Sequence, residues 1–212
     1  GYLKTNSHGE FVFDHAWANA YARFGREYFP KWLVGVPYSP VTGPRLLARD
    51  DADRGALLEA MAARARRDGL SSIHVNFHPA AESAAFDGAW LAREDVQFHW
   101  RNRGYADFDA FLGSFTAEKR KKAKRERRRV AEQGIHYETR AGADLSAAEL
   151  DRVYALHRDT FLRHGHEPYL TREFFTAIAQ AADGGLVTKL GMLGGEVVAT
   201  AILFAGRETL YG

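Results

Sequence analysis

The segment Lys119 to Arg129 reads KRKKAKRERRR and places nine basic residues beside the single acid Glu126. Such a run cannot enter a core, because each unpaired buried charge would cost several kcal/mol. It therefore has to lie on the surface, with core-forming sequence on either side of it. Thr116 can cap a helix ahead of the run, Ala, Lys, Arg and Glu are good helix formers, and Gly134 can stop it. Between residues 116 and 133 the only aliphatic side chains are Ala117, Ala123, Val130 and Ala131. One narrow stripe can touch protein, and the rest must face water or anions. The formal net charge of the whole chain is only +2, so the residues outside the run sum to about −6.

The remaining sequence is that of a folded protein. With 212 residues, 46% hydrophobic and 13% aromatic, the chain can bury a real core in one large or two small domains. No apolar run approaches the roughly 18 residues needed to span a bilayer, and no signal peptide is evident, so a soluble, cytoplasmic chain is expected. Cysteine is absent, which removes disulfides, thiolate nucleophiles and Cys-ligated metal sites. The chain begins without Met and ends at Thr209 to Gly212 in what reads as mid-strand, and so is expected to be a fragment.

Local patterns predict an α/β order. Strands are expected over Tyr2–Thr5 and Lys31–Val36, and a helix over Val12–Arg26, with Asp14 as N-cap and Gly25 as terminator. The segment PYSPVTGPR, 37 to 45, carries three of the six prolines and must be a rigid loop. A helix from Asp51 or Asp53 to Gly69 leads to a strand over Ser71–Phe77, a helix near Ala80–Phe86 and a strand over Val96–Arg101. Beyond Gly104 the pattern predicts a short helix from Asp107, the basic helix, a strand near Ile135–Thr139, and helices over Ser146–Arg163 and Thr171–Ala182. A hairpin follows, Leu186–Leu193 and Glu196–Phe204 about Gly194-Gly195, then a strand from about Thr209.

Several stretches in a shared order resemble the FemAB-like family of N-acyltransferases, peptidoglycan-biosynthesis-related members of the GNAT superfamily. They are YLKTNSHGEFVFDHAWANAY at 2 to 21, YFPK at 28 to 31, PYSPVTGPRLL at 37 to 47, LSSIHVNF at 70 to 77, QFHWRNRGYADFDAFL at 97 to 112, the basic run at 119 to 129, PYLTREFF at 168 to 175, and TLYG at 209 to 212. The resemblance implies a GNAT-like α/β fold in two tandem copies. Residues 1–105 would hold the latter part of the first, and residues 106–212 the basic helix and the opening part of the second. It also implies transfer of an acyl or aminoacyl group to an amine such as that of a cell-wall precursor. The donor would be an acyl-CoA or an aminoacyl-tRNA, with no metal. A non-catalytic module that uses the basic helix to bind nucleic acid or an anionic surface is the competing expectation. The oligomeric state is not indicated.

GNAT-type transfer needs a base to take the proton of the attacking amine and donors for the oxyanion. His99, expected on a strand, is a candidate base that titrates near neutral pH. Glu10 is a second candidate without an evident structural role, whereas Asp14 beside it is expected to cap a helix. Tyr169, in the polar loop RHGHEPYL, can give a proton to a leaving group. Within the proline loop Ser39, Thr42, Gly43 and Arg45 form the nearest approach to an anion-binding turn. Lys119, Arg120, Lys122 and Arg125 are expected to bind anions from the basic helix. His74 and His78 share a strand face, but that spacing spreads them over about 13 Å, too far for a metal pair.

Overall fold

The computed structural model describes residues 1–181 and 185–212, and the predicted end of one helix at Ala182 lies outside them. The chain divides into two compact units, Gly1–Gln97 and Phe98–Gly212. The family resemblance implies a division after residue 105. No helix among the described residues is long and apolar enough to cross a membrane.

The first unit is built on a three-stranded sheet in the order β1-β2-β3, formed by β1 (Tyr2–Lys4), β2 (Lys31–Val34) and β3 (Ile73–Val75). Strand β1 runs antiparallel to β2, and β3 runs parallel to it with Leu33 opposite His74. Side chains alternate across a strand, so Lys31 and Leu33 share one face of β2. Both are buried, while Trp32 and Val34 on the other face are half-buried. The face that buries Leu33 therefore buries a lysine as well.

Helix α1 (His15–Arg23) precedes β2, and α2 (Asp51–Arg67) connects β2 to β3. A parallel pair requires such a crossover. Asp50 caps α2 by accepting from the Asp53 N–H at 2.8 Å, one residue before the predicted start, and Leu58, Met61 and Ala65 form its buried stripe. The proline loop has no regular structure, as its prolines require. Four bonds from Arg45 hold it. The guanidinium donates to the carbonyls of Asn76, Gly43, Pro44 and Val41, and buried Glu82 accepts from the backbone N–H groups of Arg45 and Leu46.

The second unit carries a four-stranded antiparallel sheet, β4 (His136–Ala141), β5 (Leu186–Leu193), β6 (Glu196–Ala205) and β7 (Leu210–Tyr211), in sequence order. Gly194 and Gly195 close the β5–β6 hairpin with φ of 59° and 86°. A two-residue turn with both central φ positive matches the twist of the flanking strands, and glycine reaches it without a Cβ clash. Helix α5 (Ala147–Arg163) begins with a reciprocal capping box between Ser146 and Glu149. Its Val153 packs with Leu190, Met192 and Val197, and its Leu150 with Phe175, Ala179 and Leu186. Phe175 and Ala179 belong to α6 (Arg172–Gln180).

Helix α3 (Phe108–Gly113), capped by Asp107, leads into the basic helix α4 (Ala117–Glu132). Thr116 accepts from the Lys119 N–H, Gly134 follows the end with φ of 77°, and no residue of α4 is buried. Several expectations shift. The first helix contracts from Val12–Arg26 to His15–Arg23, and the second strand ends at Val34 and not Val36. Residues Ala80–Ala85 form a 3-10 helix, the strand at 71 to 77 shortens to Ile73–Val75, and 96 to 101 forms no strand. That last segment has the aromatic content of a strand but no partner ladder, and every residue in it is exposed.

Candidate functional site

Lys31 Nζ lies at the centre of the densest polar cluster in the first unit. The lysine is 0% exposed and its ammonium donates to Glu10 Oε2 at 2.8 Å, to Asp14 Oδ2 at 2.5 Å and to Ser7 Oγ at 3.2 Å. It also stands 5.0 Å from the centroid of the Tyr28 ring and 5.5 Å from that of Phe29. Both carboxylates are buried too, so the group carries one positive and two negative formal charges out of water. Glu10 Oε1 and Asp14 Oδ1 are buried without a hydrogen-bond partner among the described residues. Such an arrangement is costly to form, and packed apolar residues would often be as stable in its place.

The chain that delivers the two acids is itself strained. Gly9, Phe11 and Phe13 have φ of 74°, 55° and 46°, so every second residue turns through the left-handed region on the way to Asp14. A bulky residue there costs on the order of 1–3 kcal/mol. Burial does not repay it, since Phe13 is 72% exposed. Gly9 is needed for a second reason: a Cβ at that position would come within 2.4 Å of the Tyr38 ring. The strained turn brings Glu10 and Asp14 together on the lysine, and strain of this kind is concentrated at functional sites.

Tyr28 and His74 extend the network. The Tyr28 hydroxyl donates to Asp14 Oδ2 at 2.6 Å and lies 3.4 Å from His74 Nε2, which also meets Ser72 Oγ at 3.0 Å. Ser72 directly precedes β3, two residues before His74, and the alternation of extended backbone puts both side chains on one side. Burial on its own would raise the Asp14 carboxyl, but hydrogen bonds from Lys31, Tyr28 and Ser7 and the lysine charge hold it well below the ordinary range. Burial and the Asp14 carboxylate push the Tyr28 hydroxyl far up. For His74, burial and then the Lys31 charge lower the pKa to about 4, against the pull of Asp14. At neutral pH the imidazole is uncharged, because burial and the nearby ammonium both disfavour its protonated form.

Glu10, Asp14 and His74 each offer a ligand atom, all within 4.8 Å of one another, a spacing suited to a metal. The Lys31 ammonium already lies between the two carboxylates and supplies the positive charge that such a set requires. The donors therefore fit a lysine-centred charge cluster.

These protonation states give a stability expectation. The folded pKa of His74 lies below its ordinary 6.5, so between pH 6.5 and about 4 the unfolded chain binds the extra proton. Stability is complete above pH 6.5 and falls as the pH drops through that window, by about 2 kcal/mol after allowance for the partial exposure of the ring. His157, in the second unit, is shifted the same way by burial. Asp14 adds a further loss only below its ordinary carboxylate range. Urea titrations at pH 7.5 and 4.5 measure the first loss, and His74→Gln should remove most of the difference.

The structure distributes the predicted residues unevenly. Glu10 is in the cluster, and Asp14 joins it. Asp14 does occupy the N-cap position of α1, but its side chain makes no capping bond because Lys31 and Tyr28 take it. His99 stands on the exposed irregular segment and not on a strand. Tyr169 is 38% exposed, with its ring stacked 5.4 Å from His166 and edge-on to Phe161. Ser39 accepts from the Val41 N–H, Thr42 is exposed, and Gly43 accepts from Arg45. Arg45 stiffens this loop with donors that were expected to face an anion. Lys119, Lys122 and Arg125 are exposed and Arg120 is half-buried, and among these four only Lys122 is ion-paired, with Glu126 at 3.9 Å. Lys31, Tyr28 and His74 were not singled out as site residues. The available signal was Lys31 two residues before Leu33, which puts a charge on the buried face of a strand.

A mixed α/β chain with a buried, strained lysine–carboxylate–imidazole cluster has the features of an enzyme scaffold. The family comparison gives the class: a family model, FemAB-like, described as peptidoglycan biosynthesis and recognition, matches residues 1–212. The chain belongs to the FemAB-like family, whose members are transferases of peptidoglycan synthesis. No curated protein and no solved structure matches it.

Proposed function

We propose that the protein is an N-acyltransferase that moves an acyl or aminoacyl group from an acyl-CoA or an aminoacyl-tRNA to an amine, in two tandem GNAT-like domains, residues 1–105 and 106–212. The acceptor would be a peptidoglycan precursor, in keeping with the family. In the second unit a strand, two helices and three antiparallel strands follow the basic helix, an order that supports this fold.

The observation that carries the reading is the His74 imidazole held beside the lysine–carboxylate cluster, 3.0 Å from Ser72 Oγ and 3.4 Å from the Tyr28 hydroxyl. In the transfer the amine lone pair attacks the donor carbonyl and forms the C–N bond. His74 accepts the proton lost by the nitrogen, and the C–S or C–O bond to the donor breaks. The proton then passes from His74 to the leaving thiolate or alkoxide. Asp14, through Tyr28, positions the imidazole and is not itself a proton acceptor at neutral pH. His99 is too exposed to be shielded from water as a base in this scheme.

Thermal shift of the complete protein with acetyl-CoA, longer acyl-CoAs and aminoacyl-tRNA tests the reading, together with amine-dependent release of the donor's leaving group. A donor at a hundred times its Kd should stabilise by about 2.7 kcal/mol. The absence of both shift and transfer with every donor would leave the competing reading, a non-catalytic module that binds polyanions. That no residue of α4 is buried favours that alternative.

A further inference from the structure

The loop and short helix that open the second unit hold a cleft that neither the charge cluster nor the core uses. It encloses about 340 Å³ and is lined by Trp100, Asn102, Tyr105, Asp107, Phe108 and Phe111. Trp100 is 64% exposed and stacks on Tyr105 with ring centroids 6.3 Å apart and planes at 26°, while Phe111 meets both edge-on. Phe111 also packs on Phe115 at 4.9 Å, which ties the platform to the turn after α3. An indole left this open keeps a large apolar face in water and forgoes most of its burial energy.

The lining also carries two polar groups with unused capacity. Asn102 Oδ1 accepts from the N–H groups of Gly104 and Tyr105, which leaves Nδ2 as a donor. Asp107 Oδ1 accepts from the Ala110 N–H, which leaves Oδ2 as an acceptor. These local bonds fix both side chains, so a donor and an acceptor stand preorganised beside the rings.

Charge narrows what can fill the cleft. Asp107 enters no ion pair among the described residues, so a phosphate or other anion would meet an uncompensated carboxylate. A cationic ligand is opposed as well. The Arg127 guanidinium already lies 4.1 Å from the centroid of the Phe108 ring, and Lys124 binds Asp109 at 2.8 Å, so the cation positions at this edge are filled from within the chain. A wholly apolar ligand would strand Asn102 Nδ2 and Asp107 Oδ2 away from water. What remains is a neutral ligand with one apolar face and a rim of hydroxyls. A pyranose ring has this form, since its axial C–H bonds can rest on a π face while its equatorial hydroxyls donate to a carboxylate and accept from an amide. The volume lies at the small end of the roughly 300–1,000 Å³ typical of ligand clefts, which suits one or two such rings.

We infer that the Trp100–Tyr105 platform, with Asn102 and Asp107, is a saccharide-binding site that seats a pyranose ring on the indole and takes its hydroxyls at the carboxylate and the amide. The site shares no residue with the proposed transfer and does not depend on it, since binding is measured with no donor present.

Isothermal titration calorimetry of the full chain with cellotetraose, and with the β-1,4-linked tetramer of N-acetylglucosamine, tests the inference. At least one should bind saturably, and the pair shows whether plain or N-acetylated sugars are preferred. Affinity should change less than about twofold between 50 and 500 mM salt, because the ligand is uncharged. Trp100→Ala should weaken binding about tenfold or more through loss of the stacking face, and Trp100→Phe should recover part of it. An unchanged melting temperature shows that each variant is folded. Saturation-transfer NMR on the unaltered protein gives a second reading that needs no variant: irradiation of aromatic protons should mark the C–H protons of one pyranose face more strongly than the rest. Absence of both heat and saturation transfer with both tetrasaccharides, or undiminished binding by folded Trp100→Ala, would overturn the site. So would binding of AMP or of tetramethylammonium at least as tight as that of either sugar, since these report a platform for a base or a cation.

Discussion

Replacing Lys31 by Met should destabilise the protein by about 3–5 kcal/mol and lower its melting temperature by about 10 °C or more. Methionine fills a similar volume, so the cost arises almost entirely from electrostatics. Without the ammonium, two carboxylates with one buried oxygen each already lacking a partner would face each other across the vacated position. Ser7 and Tyr28 remain as donors, but neither carries charge. The strained turn at Phe11 and Phe13 would lose the contacts that hold it, and its relaxation would release the loop from Gly9 to Asp14. Adding Glu10→Gln and Asp14→Asn to Lys31→Met should recover at least half the loss, because the penalty belongs to the unpaired charges. Chemical denaturation of the parent, the Lys31→Met variant and the triple variant measures this. If Lys31→Met alone lies within 1 kcal/mol of the parent, the cluster is not held by its charge.

His74→Ala should lower kcat for acyl transfer by about 10² to 10⁴, the range expected on loss of a general base. A base is active when deprotonated, and the His74 pKa of about 4 keeps it so throughout the neutral range. The acid limb that belongs to this group should therefore lie near pH 4, well below the limb set by protonation of the amine acceptor. His74→Gln separates chemistry from architecture. Glutamine can keep a hydrogen bond to Ser72 and so preserve stability at pH 7.5, but it cannot accept the proton. A fall in kcat with KM and melting temperature unchanged supports the base role, and full activity in His74→Gln would eliminate it.

Much of the fold was legible because its signals are local. The caps at Asp107, Thr116, Ser146 and Thr171, the Gly194-Gly195 turn and the alternation of β5 and β6 each involve residues within a few positions of one another. The site was less legible. Lys31 bonds to Glu10 and Asp14 across 21 and 17 residues, and Tyr28 meets His74 across 46. Asp14 satisfied the local rule for an N-cap and does stand at that position, yet a buried ammonium outcompetes a backbone N–H for its carboxylate. The same limit accounts for 96 to 101: side-chain composition favours a strand, but a strand exists only where another offers it a ladder.

By itself the sequence determined that residues 119 to 129 would form an exposed, cationic helix, because charge density and helix propensity belong to the segment and no packing partner can take nine cations inside. Only the tertiary structure decided that Lys31 would be buried between two acids, and that aromatic residues from 100 to 111 would open a cleft beside that helix. Both depend on which distant segments share a face, and desolvation and ring packing act only after the chain has brought them together.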